Sequence, residues 1–155
     1  MGRIRTETLI AAPPERVFDA ARDIDLHVRS QEGSRERAVA GVTQGLIGPG
    51  EEVTFEARHF GLRLQHHARM VEFDRPRRFV DAMVRGAFAS FVHEHLFEAT
   101  PEGTRMIDTI DLRAPLGPLG RLAEWLFLDR YLLRLLRGRV EGIKAVCERT
   151  AERPD

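Results

Sequence analysis

The chain has 155 residues, with 24 basic and 24 acidic side chains, six histidines and one cysteine. That length suits one domain over residues 1–155, and such a chain buries about two-thirds of its unfolded surface, enough for a core and an internal cavity. Zero formal net charge argues against bulk attraction to nucleic acid or to an anionic membrane, and a lone Cys147 excludes an internal disulfide.

Met1 to Glu7 lacks the apolar core of an export signal, so the expected location is cytoplasmic. Arg3 to Ile10 alternates polar with apolar residues and predicts a strand. Ala11-Ala12-Pro13-Pro14 ends it, and Pro14 with Glu15 opens a short helix over 14–22. A second short helix is expected over Asp23–Ser30, capped by Asp23 or Asp25. From Arg35 to Leu112 the period falls to two, giving strands at 36–42, 51–60, 62–73, 78–85, 88–98 and 104–112. Between them lie Gly45 with Gly48-Pro49-Gly50, Gly61, Asp74-Arg75-Pro76, Gly86 and Pro101-Glu102-Gly103, turn chemistry that implies antiparallel neighbours.

After Ala114-Pro115-Leu116-Gly117-Pro118 one long helix is expected, from Leu119 to Arg149. Leu122, Leu126, Leu133, Leu136, Val140, Ile143 and Cys147 mark its apolar stripe. The greasiest stretch, Trp125 to Leu136, contains Asp129, Arg130 and Arg134 and is too short to span a bilayer, which needs about 20 apolar residues. Of the basic residues only Lys144 is lysine; a GC-rich bacterial genome accounts for that bias without a phosphate-binding role.

Strand, two short helices, six strands and a long helix predict an α+β fold. A curved antiparallel sheet of about seven strands would grip the C-terminal helix, with space between them. In this order the chain resembles the START-like, or birch-allergen-like, superfamily (SRPBCC), which includes lipid-transfer domains, polyketide cyclases/dehydrases and coenzyme Q-binding proteins. The resemblance rests on Ile10-Ala11-Ala12-Pro13-Pro14-Glu15-Arg16-Val17-Phe18, on Glu72-Phe73-Asp74-Arg75-Pro76-Arg77-Arg78-Phe79, and on Gly103-Thr104-Arg105-Met106. It implies the helix-grip fold over nearly the whole chain and a bacterial ligand-binding role. It does not imply a chemistry, because the superfamily holds enzymes, carriers and regulators.

Strand parity sorts the faces. Val53, Phe55, Ala57 and His59 are expected inside, as are Leu62, Leu64, His66, Ala68 and Met70. Phe91, His93, His95 and Phe97 oppose the outer Glu94 and Glu98. Phe79, Asp81, Met83 and Arg85 are taken as inner, with Met106, Asp108, Ile110 and Leu112. An apolar interior with this polar minority fits a ligand cavity, where a few polar groups orient the occupant; a hydrogen-bonded core network would use the same residues.

The expected ligand-binding set is Phe55, His59, Leu64, His66, Phe91, His93, His95, Met106, Asp108 and Trp125. His93, His95 and Asp108 are the candidates for proton transfer. No metal site is expected: His66 and His67 point to opposite faces, and the His93–His95 pair lacks convergent partners unless His59, His66 or Asp108 completes the set. Gly45–Gly50 leads into a strand without a Gly-Lys-Ser/Thr ending, so it is no phosphate loop, and no cofactor motif is present.

Three functions stay open. The first is binding of a small hydrophobic, lipid- or polyketide-like ligand. The second is a cyclase or dehydratase using inward His and Asp residues. The third is a regulatory or interaction module with a vestigial cavity. The surplus apolar residues near Trp125 would cover the cavity or make a homodimer through the C-terminal helix.

Overall fold

Proline and aspartate set the first boundaries in the computed structural model, which describes residues 2–151. Strand β1 (Gly2–Ile10) stops at the Ala-Ala-Pro-Pro break, and Pro14 begins helix α1 (Pro14–Ala21). Asp23 caps α2 (Ile24–Ser30) by accepting from the Leu26 N–H at 3.2 Å. Asp25 instead accepts from the Gly45 N–H at 2.9 Å, tying the glycine loop to the helix. A single 3₁₀ turn, Glu32–Ser34, leads into β2 (Arg37–Gly41).

Strands β3 (Glu52–His59), β4 (Leu62–Asp74), β5 (Arg78–Arg85), β6 (Ser90–Thr100) and β7 (Gly103–Arg113) follow as a meander. All pairings are antiparallel and the spatial order is β1-β7-β6-β5-β4-β3-β2. The chain therefore begins at one edge of the sheet and crosses to the other through α1 and α2. At the β6–β7 turn Gly103 has φ 140°, and a Cβ there would lie 2.3 Å from the Ile10 carbonyl oxygen. Only glycine permits that approach.

The inner face follows parity along β3, β6 and most of β7. It fails at two places. Register shifts between β4 and β5 at His67/Ala68 and Met70/Glu72 re-aim the end of β5, so Arg85 is exposed and not inward. Leu62 is also exposed, because at the β3–β4 tip Phe127 and Tyr131 of the C-terminal helix pack against Phe60 and leave Leu62 uncovered.

The C-terminal helix departs from one uniform rod. It starts earlier, as α3 (Gly117–Ala123), passes through a π turn (Glu124–Leu128), and continues as α4 (Asp129–Ala151). A π turn takes in one more residue than an α turn, which rotates the following stripe by about 100°. The expected stripe therefore holds only in its second half. Leu136, Val140, Ile143 and Cys147 are buried, whereas Leu122 and Leu126 face outward. Glu124 is buried at the bend and accepts from the Ala114 N–H at 2.6 Å, fastening the helix start to the end of β7.

The core is packed at one end of the sheet. Phe18 of α1 meets Phe73, Phe79 and Phe97 at ring-centroid distances of 5.3, 5.2 and 5.2 Å. Fully burying each such ring is worth about 1.5–3 kcal/mol. The other end of the sheet is not filled by side chains. No helix among the described residues is long and apolar enough to cross a membrane.

Candidate functional site

Between the inner face and the C-terminal helix lies a cavity of about 500 Å³. That size suits a small-molecule ligand. Its wall is mostly apolar: Val53 and Phe55 from β3, Leu64 and Met70 from β4, Phe79 from β5, Phe91 from β6, Ile110 from β7. Leu119, Leu128, Leu132 and Leu136 close it from the helix, and Ile24 with His27 from α2.

Four histidines border this space, and each has a defined partner. His27 lies flat on Phe55 (4.2 Å, 11°) and its Nε2 is 2.5 Å from Glu36. His59 Nδ1 is 2.5 Å from the Tyr131 hydroxyl. His66 meets the Phe91 ring edge-on at 5.0 Å. His93 directs Nε2 to Asp108 at 2.9 Å. Burial lowers the pKa of His27, His59 and His66, so these rings are neutral near pH 7.

The cavity floor holds a linked cluster. Cross-strand register sets His95 directly opposite Asp108 and His93 opposite Asp81. His95 lies between two carboxylates, with Nδ1 2.8 Å from Asp108 and Nε2 3.0 Å from Asp81. Burial works against charge on His95, yet Asp108 and Asp81 together outweigh it and raise its pKa. Burial also works against both carboxylates. The hydrogen bond from His93 and the close His95 ring hold Asp108 far below its usual range, and the His95 bond with the nearby His93 does the same for Asp81. For His93, burial and the positive His95 ring 3.8 Å away push the pKa down to about 4. The cluster thus carries one proton-bearing cation, His95, braced by two anions, with a neutral His93 beside it.

Of the expected ligand-binding residues, Phe55, His59, Leu64, His66, Phe91 and His93 border the cavity. His95 and Asp108 lie one layer behind His93, fully enclosed. Two placements are corrections. Met106 shares the parity of Asp108 but falls where α1 covers the sheet, so it is core and has no cavity contact. Trp125 sits in the π turn with 78% of its surface exposed, turned away from the cavity by the local change of phase.

Sequence reasoning misses His27, Glu36, Tyr131 and Arg139, all of which border the cavity. His27 carries a usable signal, because the Asp23 cap puts Ile24, His27, Val28 and Gln31 on one helical face. Arg139 donates to the Ala21 carbonyl at 2.7 Å and brings a positive charge near Glu36 and Asp81. Cys147 is fully buried, and burial pushes its thiol up to about 11, which removes it as a nucleophile.

Asp81, His93 and His95 offer three ligating atoms within 4.8 Å of one another, a grouping the sequence does not anticipate. His95 Nε2 and Asp81 Oδ2 already bond each other, so the proton on His95 occupies the position a cation would take.

A family model described as "Polyketide cyclase / dehydrase and lipid transport" matches residues 1–148. The fold is similar to that of TTHA0849 from Thermus thermophilus (TM-score 0.73, 23% identity, covering 94% of this chain and 99% of that one). It is also similar to Ara h 8.0201 (TM-score 0.70, 14% identity, 94% and 97% covered). A third similar structure is ginseng major latex-like protein 151 from Panax ginseng (TM-score 0.64, 14% identity, 94% and 97% covered). Among curated proteins, none matches the chain.

Proposed function

The chain belongs to the polyketide cyclase/dehydrase and lipid transport family, within the START-like superfamily that its motifs resemble, and we propose that it is a carrier for a small hydrophobic ligand. The observation that carries this reading is the 500 Å³ cavity, walled by apolar side chains from five strands and the C-terminal helix. Filling it transfers ligand surface out of water at about 25 cal/mol per Å², which supplies affinity without a dedicated chemical motif. The neutral histidines add orientation in place of bulk charge.

The experiment is displacement of an environment-sensitive apolar dye by lipid-like molecules, with native mass spectrometry of the protein as purified. A saturable dye signal and a co-purified hydrophobic mass are expected. A protein that binds neither dye nor any apolar molecule overturns the reading.

One observation favours a second reading, proton-transfer catalysis of the cyclase or dehydratase kind. His93 is a neutral, cavity-facing imidazole held by a carboxylate, the arrangement of a general base. Turnover of a polyketide-like substrate, lost in His93→Gln with folding intact, separates an enzyme from a carrier.

A further inference from the structure

The direction of the hydrogen bonds on the cavity floor limits what the polar end of an occupant can be. Asp108 is an acceptor, so the His93 Nε2 that meets it must carry the hydrogen. A second charge on His93 would sit 3.8 Å from the His95 ring, which shares Asp108 with His93 but also has Asp81, at 2.8 and 3.0 Å. Like charges at that distance in a dry site are costly. His93 is therefore the neutral ring, consistent with its lowered pKa, and its Nδ1 carries a lone pair. Nδ1, separated from Nε2 by one ring carbon, diverges from the bond to Asp108, and His93 borders the cavity.

The groups around His93 repeat the same polarity. Asp81 of β5, also bordering the cavity, contributes carboxylate oxygens. His27 of α2 turns its Nε2 to Glu36, which leaves a second lone-pair nitrogen. Three arginines reach the wall: Arg69 of β4 is exposed, and the other two are bonded elsewhere. Arg22 is bonded to Asp19 at 2.9 Å and to the Ile47 carbonyl at 3.2 Å. Arg139 donates to Ala21 and faces the charges of Glu36 and Asp81. An acceptor-lined floor stabilises a donor and repels an anion.

Resting on the carrier reading, we infer that the ligand is a hydrophobic molecule ending in a hydroxyl, as an alcohol, phenol or enol, whose O–H is received by His93 Nδ1 beside Asp81. A carboxylate at the same place would meet lone pairs and a negative side chain.

The test compares decanol, decanoate and decane as competitors of an apolar dye at neutral pH. Decanol is expected to bind about tenfold more tightly than decane, the scale of one buried hydrogen bond, with decanoate the weakest. Equal binding of all three overturns the inference and leaves the carrier reading standing. Decanoate at or ahead of decanol overturns it in favour of Arg139 as the anchor. Failure of all three to compete removes the carrier reading, and this inference with it. In His93→Phe the advantage of decanol over decane should fall to about twofold or less. Should that variant not fold, imidazole nitrogen NMR on the unaltered protein decides. It should find His93 protonated at Nε2 and bare at Nδ1, with Nδ1 shifting when decanol is added; a protonated Nδ1 refutes the assignment.

Discussion

Replacing Asp108 with asparagine removes one charge from the cavity floor while keeping shape and one acceptor oxygen. His93 Nε2–H, at 2.9 Å, can still donate to the amide oxygen. His95, at 2.8 Å, loses its carboxylate on Nδ1 and keeps Asp81 alone. Removing one partner of a buried ion pair costs about 3–5 kcal/mol, and the retained acceptor places Asp108→Asn near the lower end, about 3 kcal/mol. With a urea slope of about 2 kcal/mol/M, the midpoint should fall by about 1.5 M.

The pH dependence identifies the cause. The folded pKa of His95 is raised above its unfolded value. The stability it contributes is complete below about pH 6.5 and fades as pH climbs through the raised value. The penalty of Asp108→Asn should therefore be larger at about pH 6 than at about pH 9. Urea titrations of both proteins at the two pH values measure it. A penalty below about 1 kcal/mol, or one equal at both pH values, refutes the charged His95.

Three further outcomes are expected. His93, with its folded pKa lowered to about 4, contributes stability that is complete above about pH 6.5 and lost as pH falls toward about 4. Combined with the opposite trend of His95, this should place the peak of a urea-midpoint profile near about pH 6.5–7, and a profile flat from about pH 4 to 7 would contradict it. The single tryptophan, Trp125, should emit as a water-exposed indole, and Trp125→Ala should shift stability by no more than about 0.5 kcal/mol; a blue shift on raising protein concentration would reveal pairing through the C-terminal helix. Cys147, enclosed between α1 and α4, should react with a disulfide reagent only as fast as the chain unfolds, and prompt labelling of the native protein would refute its burial.

Much of the architecture is legible because alternation holds along β3, β6 and most of β7. One parity assigns Phe55, His59, His93, His95 and Asp108 to the inner side, where each is found. Parity says which face, however, and not how far along the sheet the cavity extends, so it groups Met106 with its neighbours although α1 packs over it. Arg85 escapes the pattern because a β-bulge changes parity without any mark in composition. Trp125, Tyr131 and Arg139 are unreadable for a related reason: a π turn interrupts the helical period, and a stripe drawn at constant spacing crosses it in the wrong phase. Glu36 enters only through its tertiary contact with His27.

The strand order has a consequence for biosynthesis. β1 pairs with β7, so Ile4 waits for Ile110 and Arg3 for Asp111, partners 108 positions apart in the latter case. On the ribosome the first strand to emerge is therefore the last to find its place. Until β7 leaves the exit tunnel, β1 offers an unpaired edge and the α1–α2 segment has no completed sheet to lie across. Such long-range closure is slow, since loop entropy must be overcome before the contact is made. The nascent chain is most exposed to wrong pairing in that interval, and Ile4 and Ile10, both buried once β1 docks, are the side chains a chaperone would have to shield.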